Sequence, residues 1–224
     1  MPYYFPVFLN LEGRRCLVIG GSRLAAEKVF SLRAAGARVA VQAEAMVDEL
    51  AEAALLGQVE WIRRGYVPGD LEGYYLVVAA PDNRRINAAV HREAEGRGIL
   101  FNALDDPPHC GFIFPSIHRQ GDLVLAVSTG GVAPALAVRL RKKFGAELGR
   151  EYDDFLRLAA LYRDSITEQI PDFSPRRDLW YRIVDSEIVD FLKEGRPDEA
   201  KELFEQLLEG AGIQQPQAAV ATGP

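Results

Sequence analysis

The stretch from Cys16 to Lys28, CLVIGGSRLAAEK, constrains this chain most, because an apolar run passes through two glycines directly into helical spacing. Cys16, Leu17, Val18 and Ile19 read as a parallel strand buried on both faces. Gly20 and Gly21 let the backbone turn tightly and approach a ligand closely. Leu24, Ala25, Val29 and Leu32 then repeat at helical spacing until Gly36 stops the helix. A helix starting there aims its free N–H groups at phosphate. The match to G-x-G-x-x-G/A is partial: Gly20, Ser22 and Ala25 fill the three positions, and a purely structural turn is the competing reading. A second strand, Ala37 to Val41, follows. Where an acid would hold an adenosine ribose stands Gln42, with Glu44 two residues later, so the pattern does not separate NAD from NADP.

Strands go on alternating with helices at Val59 to Ile62, Tyr75 to Ala79 and Leu100 to Ala103, which predicts a parallel α/β sheet with right-handed crossovers over residues 1–113. Gly121 to Ser128 reads as a further strand, and Thr129-Gly130-Gly131 turns it into a helix from Pro134 to Phe144, so 114–147 forms a region of its own. From 148 to 209 the chain reads as all helical. Leu148, Tyr152, Phe155, Ala159 and Tyr162 share one face; Pro175 opens a helix behind Ser174 that carries Leu179, Ile183 and Ile188; Pro197 opens another with Ala200, Leu203 and Leu207. Residues 210–224 have little to bury and read as a disordered tail.

Composition narrows the function classes. No apolar run among the 224 residues approaches a membrane span, so no membrane partner is expected. A net charge of −6 disfavours nucleic-acid binding. Two cysteines without C-x-x-C spacing argue against structural zinc and fit a reducing compartment. The start, MPYYFPVFLNLEG, has no signal-peptide pattern, so a cytoplasmic location is expected.

In doubly wound sheets ligands bind beyond the carboxyl ends of the strands, which directs attention to Ala79-Ala80-Pro81-Asp82 and Asn102-Ala103-Leu104-Asp105. Asp105 and Asp106 stand before two prolines that stiffen the loop. A carboxylate there acts as general base or acid beside a nicotinamide, or it merely caps the turn; position alone leaves both open.

VIGGSRLAAEK, NALDD, FIFPSI and LAVSTGGVAPALAVRLRKKF follow one another in an order and spacing that resembles the precorrin-2 dehydrogenase and sirohydrochlorin ferrochelatase family, the module of siroheme synthases. The resemblance covers roughly residues 4–145, with a looser helical continuation to about 208; the methyltransferase domain of longer siroheme synthases is not matched. It implies a Rossmann-type NAD-binding domain, then a dimerisation region at 114–147, then a small helical domain, and hence a homodimer. It also implies NAD-dependent conversion of precorrin-2 to sirohydrochlorin. Some members further insert ferrous iron, so a ferrous or cobaltous ion would be a substrate rather than held in a protein cage. Matching residue by residue carries the family's essential acid to Asp105, with Asp106 the weaker candidate. Gly20, Gly21, Ser22, Arg23 and Leu24 fall around the cofactor, Ala43, Glu44 and Ala45 on its adenosine side, and Ala80 with Pro81 along the pocket. Ser22 stands where a third glycine is usual, and Pro81 where Thr is common.

A tetrapyrrole bearing eight carboxylates needs positive charge. Arg139, Arg141, Lys142 and Lys143 cluster late in the Pro134 helix, and Arg176 sits beside Arg177. Arg139, Arg176, Ser128 and Thr129 are therefore the substrate-contact candidates, against the plainer reading of solvated helix faces and an ordinary turn. His109 and His118 read as solvated loop side chains rather than metal ligands. An NAD-dependent reductase of another small substrate and a nucleotide-sensing module remain as rivals. No tyrosine is followed by lysine four residues on, as short-chain dehydrogenases require, and no basic recognition helix supports sensing by DNA.

Overall fold

The computed structural model describes residues 3–80 and 84–214. The chain forms two compact units divided between Phe114 and Pro115. In the first, five strands alternate with helices: β1 (Arg15–Ile19), α1 (Arg23–Ala34), β2 (Arg38–Gln42), α2 (Asp48–Leu55), β3 (Glu60–Ile62), β4 (Leu76–Ala79), α3 (Asn87–Arg97) and β5 (Leu100–Ala103). All five strands are parallel, in the order β3-β2-β1-β4-β5. Each expected strand appears within one residue of its expected ends, because buried parallel strands need unbroken apolar runs.

Side chains alternate across β1. Cys16 and Val18 pack with Ala25, Val29 and Leu32 of α1 and Leu50 of α2. Leu17 and Ile19 pack on the other face with Val77, Val90 and Ala94. The order reverses beside β1, where α1 leaves toward β2 while β4 pairs on the opposite edge. Ile19 is in register with Ala79, and Ala79 with Ala103, so the carboxyl ends of β1, β4 and β5 share one edge of the sheet. Phe112 and Phe114 meet edge to face at 5.1 Å and pack against this core.

The second unit begins with a hairpin, β6 (Ser116–Gln120) and β7 (Leu123–Val127), paired antiparallel around Gly121 and Asp122. The strand residues of the FIFPSI and LVLAVS segments thus pair with each other within one chain. Five helices follow: α4 (Pro134–Gly145), α5 (Arg150–Gln169), α6 (Phe173–Val184), α7 (Ile188–Lys193) and α8 (Pro197–Glu209). Phe155, Tyr162, Ile166, Leu179, Ile183, Phe204 and Leu208 belong to the core that α5 to α8 share, with Tyr162 and Phe204 stacked at 5.0 Å.

Three expectations need correction here. The helix read as opening at Pro175 starts at Phe173 behind Asp172, since proline is tolerated throughout the first turn, where no internal N–H partner is needed. Ile188 belongs to the next helix. The tail begins later than 210: Ile213 is 3% exposed in the helical core, and the Gln214 N–H donates to Gln169 Oε1 at 2.9 Å. The rest of the expected tail, from residue 215, lies outside the described residues, as does Pro81.

Candidate functional site

Gly20 leaves β1 at φ +125°, a conformation that side chains oppose, and its N–H donates to Gln42 O at 2.9 Å. Gly21 is fixed by packing. A Cβ there would collide with the Ala45 carbonyl oxygen, and Gly21 O accepts from Val47 N at 2.9 Å. The Ala43, Glu44 and Ala45 loop therefore lies against the glycine turn. Glu44 and Ala45 are exposed; Ala43 is buried, its carbonyl accepting from Trp61 Nε1 at 2.9 Å.

Ser22 is the N-cap of α1, and its Oγ accepts from Ala25 N at 3.4 Å. This is why serine serves at the position of the missing glycine. Among the described residues the N–H groups of Ser22, Arg23 and Leu24 meet no acceptor, and the first turn holds no acid. Unsatisfied donors at the positive end of a 12-residue helix form a cradle for phosphate, so the residues present fit a dinucleotide pyrophosphate. Ala80 is buried beside it, its N–H donating to Ile19 O at 2.8 Å.

Gln42, at the position where an acid would hold a ribose, is 1% exposed and turned to another task. Its Nε2 donates to Gly65 O at 3.1 Å and to Asp70 Oδ2 at 2.5 Å, while Oε1 has no partner. Asp70 also takes Arg64 in a two-point ion pair at 2.6 and 2.7 Å, which holds its carboxyl well below the usual range. This network is not visible in sequence.

Asp105 follows β5 at φ +56°, the one non-glycine residue with positive φ among those described. The Asp106 N–H closes the turn onto Ala103 O at 3.2 Å. Asp is among the residues that enter left-handed backbone most readily, and Asp105 does so at an exposed position. Asp106 has a different task. Its Oδ2 accepts from Asn87 Nδ2 at 2.9 Å and lies 2.9 Å from His109 Nδ1, while the His109 and His91 rings meet edge to face at 5.5 Å. His109 is thus a tethered group rather than a solvated loop side chain.

The buried amide of Asn102 donates to Phe112 O at 2.7 Å, and Cys110 Sγ to Ala103 O at 3.2 Å, fixing the segment that returns beneath Asp105. Burial raises the Cys110 thiol and pushes Cys16 up to about 11, so neither is a ready nucleophile.

The substrate-contact candidates all belong to the second unit. Ser128 Oγ accepts from Gly130 N at 3.1 Å and Thr129 Oγ1 from Ala133 N at 3.1 Å, so both hydroxyls serve the turn into α4. Arg139 is exposed. Arg176 donates to the Ile170 and Pro171 carbonyls at 2.8 and 3.0 Å, satisfying the end of α5. His118 lies in β6 under Gly145 with its Nε2 buried, again not the solvated loop residue expected from sequence. No group of three metal-ligating side chains occurs among the described residues, and no helix among them is long and apolar enough to cross a membrane.

Residues 7–116 match a family described as NAD(P)-binding, and residues 151–208 match the sirohaem synthase dimerisation region. That second match covers α5 to α8, C-terminal to the 114–147 segment to which the sequence reading gives dimerisation. The chain is 35% identical over 221 residues to a siroheme synthase of Photorhabdus laumondii, covering 99% of this chain and 47% of that protein. It is 38% identical to siroheme synthase 1 of Pectobacterium atrosepticum (96% and 45%) and 39% identical to a Pseudomonas aeruginosa siroheme synthase (98% and 46%). The chain therefore spans about half the length of these relatives. A solved structure of SirC, a precorrin-2 dehydrogenase, superposes with a TM-score of 0.73 at 24% identity, covering 91% of this chain and all of that one.

Proposed function

Because the chain belongs to the siroheme synthase family, we propose that it oxidises precorrin-2 to sirohydrochlorin, with NAD as hydride acceptor and Asp105 as the group that takes the proton. One observation carries this reading: Asp105, held in left-handed backbone, stands on the same sheet edge as the glycine turn and the open N-terminus of α1. Two strand spacings, about 10 Å, separate β1 from β5. A phosphate anchored at Ser22, Arg23 and Leu24 thus lies within a dinucleotide's reach of the Asp105 carboxylate.

When bound, NAD supplies the hydride acceptor that side chains lack. The chain's own groups do the rest. The α1 N-terminus orients the pyrophosphate, the 43–45 loop closes the adenosine side, and the exposed Asp105 carboxylate receives the proton released with the hydride. The same carboxylate is placed to accept pyrrole protons if a ferrous or cobaltous ion is then inserted.

A homodimer is part of the proposal. The match to a dimerisation region supports it, as do the two outer edges of the β6–β7 hairpin and the exposed Phe173, Tyr181 and Val184 of α6. Ser128, Thr129, Arg139 and Arg176 are kept as contacts to the tetrapyrrole carboxylates, and the cytoplasm as the place of action.

Incubating the protein with precorrin-2 and NAD tests the reading: a sirohydrochlorin absorption band is expected, and its absence with folded protein overturns it. Sirohydrochlorin with each metal ion, corrected for uncatalysed insertion, tests chelation separately. Light scattering tests the dimer.

A further inference from the structure

A cleft of about 520 Å³ runs along the N-terminal edge of the five-stranded sheet, opposite the glycine turn. Its size is that of a small-molecule site. Arg15 at the start of β1, Arg33 in the last turn of α1 and Arg38 at the start of β2 line it, together with Gln58, Glu60 and Tyr74. Arg33 Nη1 donates to Gln58 Oε1 at 2.7 Å, and the Arg15 guanidinium sits over the Tyr74 ring, 4.5 Å from its centroid. Two of the three cations are thus held in place.

Several arginines of this acidic chain take carboxylates, among them Arg64 with Asp70, Arg97 with Glu93, Arg157 with Asp153, and Arg196 with Glu194. Among the described residues Arg15, Arg33 and Arg38 make no such pair, and Glu60 is the one carboxylate in the cleft wall. Three guanidiniums around one cavity repel one another, and an anion presenting several charged oxygens relieves this with charge-assisted, two-point contacts.

We propose that this cleft binds a small multivalent anion, one carrying phosphate or carboxylate groups, at a site distinct from the nucleotide cradle. The two sites occupy opposite ends of β1, five residues or about 16 Å apart, so both can be filled at once. The inference is independent of the dehydrogenase reading.

The test is calorimetric titration of the full chain with pyrophosphate and, separately, with citrate. Ionic strength is held constant and NAD kept saturating, so that the glycine turn is occupied. Saturable binding of one equivalent is expected, weakened about tenfold or more in Arg33→Gln and in Arg38→Gln. Arg38 is exposed, so its variant carries the test if Arg33→Gln fails to fold. Binding of pyrophosphate alone assigns phosphate chemistry, of citrate alone carboxylate chemistry, and of both a site that reads charge. No saturable heat from either anion up to about 10 mM overturns the proposal. So does unchanged affinity in the variants, or displacement of the anion by NAD.

Discussion

His109 Nδ1 lies 2.9 Å from the same Asp106 oxygen that accepts the Asn87 amide, so one carboxylate fastens the loop after β5 to the first residue of α3. Asp105 and Asp106, adjacent and chemically alike, therefore differ in setting: Asp105 is exposed in left-handed backbone, and Asp106 ties the loop down.

Asp106→Ala should lower stability by about 2 kcal/mol, since it removes a partly buried acceptor and leaves the Asn87 amide, already short of a partner at Oδ1, without an acceptor for its Nδ2. Its effect on dehydrogenation should be much smaller than that of any change at Asp105. Urea unfolding alongside single-turnover rates checks both; a large rate loss at unchanged stability would give Asp106 the chemical role instead.

Asp105→Asn should keep the fold and NAD binding but slow sirohydrochlorin formation about 10²–10⁴-fold, the usual contribution of a positioned base. Alanine is the poorer probe, because at φ +56° it adds strain of about 1 kcal/mol, whereas Asp105→Gly removes both carboxylate and strain. If the asparagine and glycine variants retain full rate, Asp105 is only a turn residue.

Gly21→Ala should weaken NAD binding more than about tenfold, because its methyl displaces the Ala45 carbonyl and with it the loop beside the cradle. Ser22→Gly should cost only a few tenths of a kcal/mol, about the loss of one cap, and keep NAD affinity. Calorimetry with NAD distinguishes these; a large loss on Ser22→Gly would make its hydroxyl a ligand contact.

Asp70 predicts a pH dependence. Its folded carboxyl is depressed chiefly by the Arg64 hydrogen bond, so its stabilisation is full above the unfolded value, near pH 4, and fades as pH falls through the folded one. Asp70→Asn should therefore be less stable than the parent by about 1–2 kcal/mol at neutral pH, with the gap closing below about pH 4. A gap that widens toward acid would show that Asp70 is not the residue responsible.

The five parallel strands were legible because each is an apolar run between turn residues, and so was the place of Asp105 just beyond a strand end. The strand β6, Ser-Ile-His-Arg-Gln, was not: four of its five residues are polar, and only pairing with β7 makes it a strand. The break between α6 and α7 at Asp185–Glu187 carries neither glycine nor proline. The ties from Asn87 to Asp106 and from Gln42 to Asp70 span 19 and 28 residues, and no local pattern announces a contact at that separation. Gly21 was read as letting the backbone approach a ligand; that its missing side chain also makes room for Ala45 was not legible.

Cys16, sealed inside β1 with its thiol pushed up to about 11, also supplies a natural clock. In the native sheet burial keeps this thiol in its unreactive protonated form and away from reagents; in the opened chain it regains ordinary reactivity. Cys110, less buried, is modified first and marks the start of the reaction. The slow second labelling event then times how often the nucleotide domain comes apart, and whether NAD slows it, without any probe being introduced.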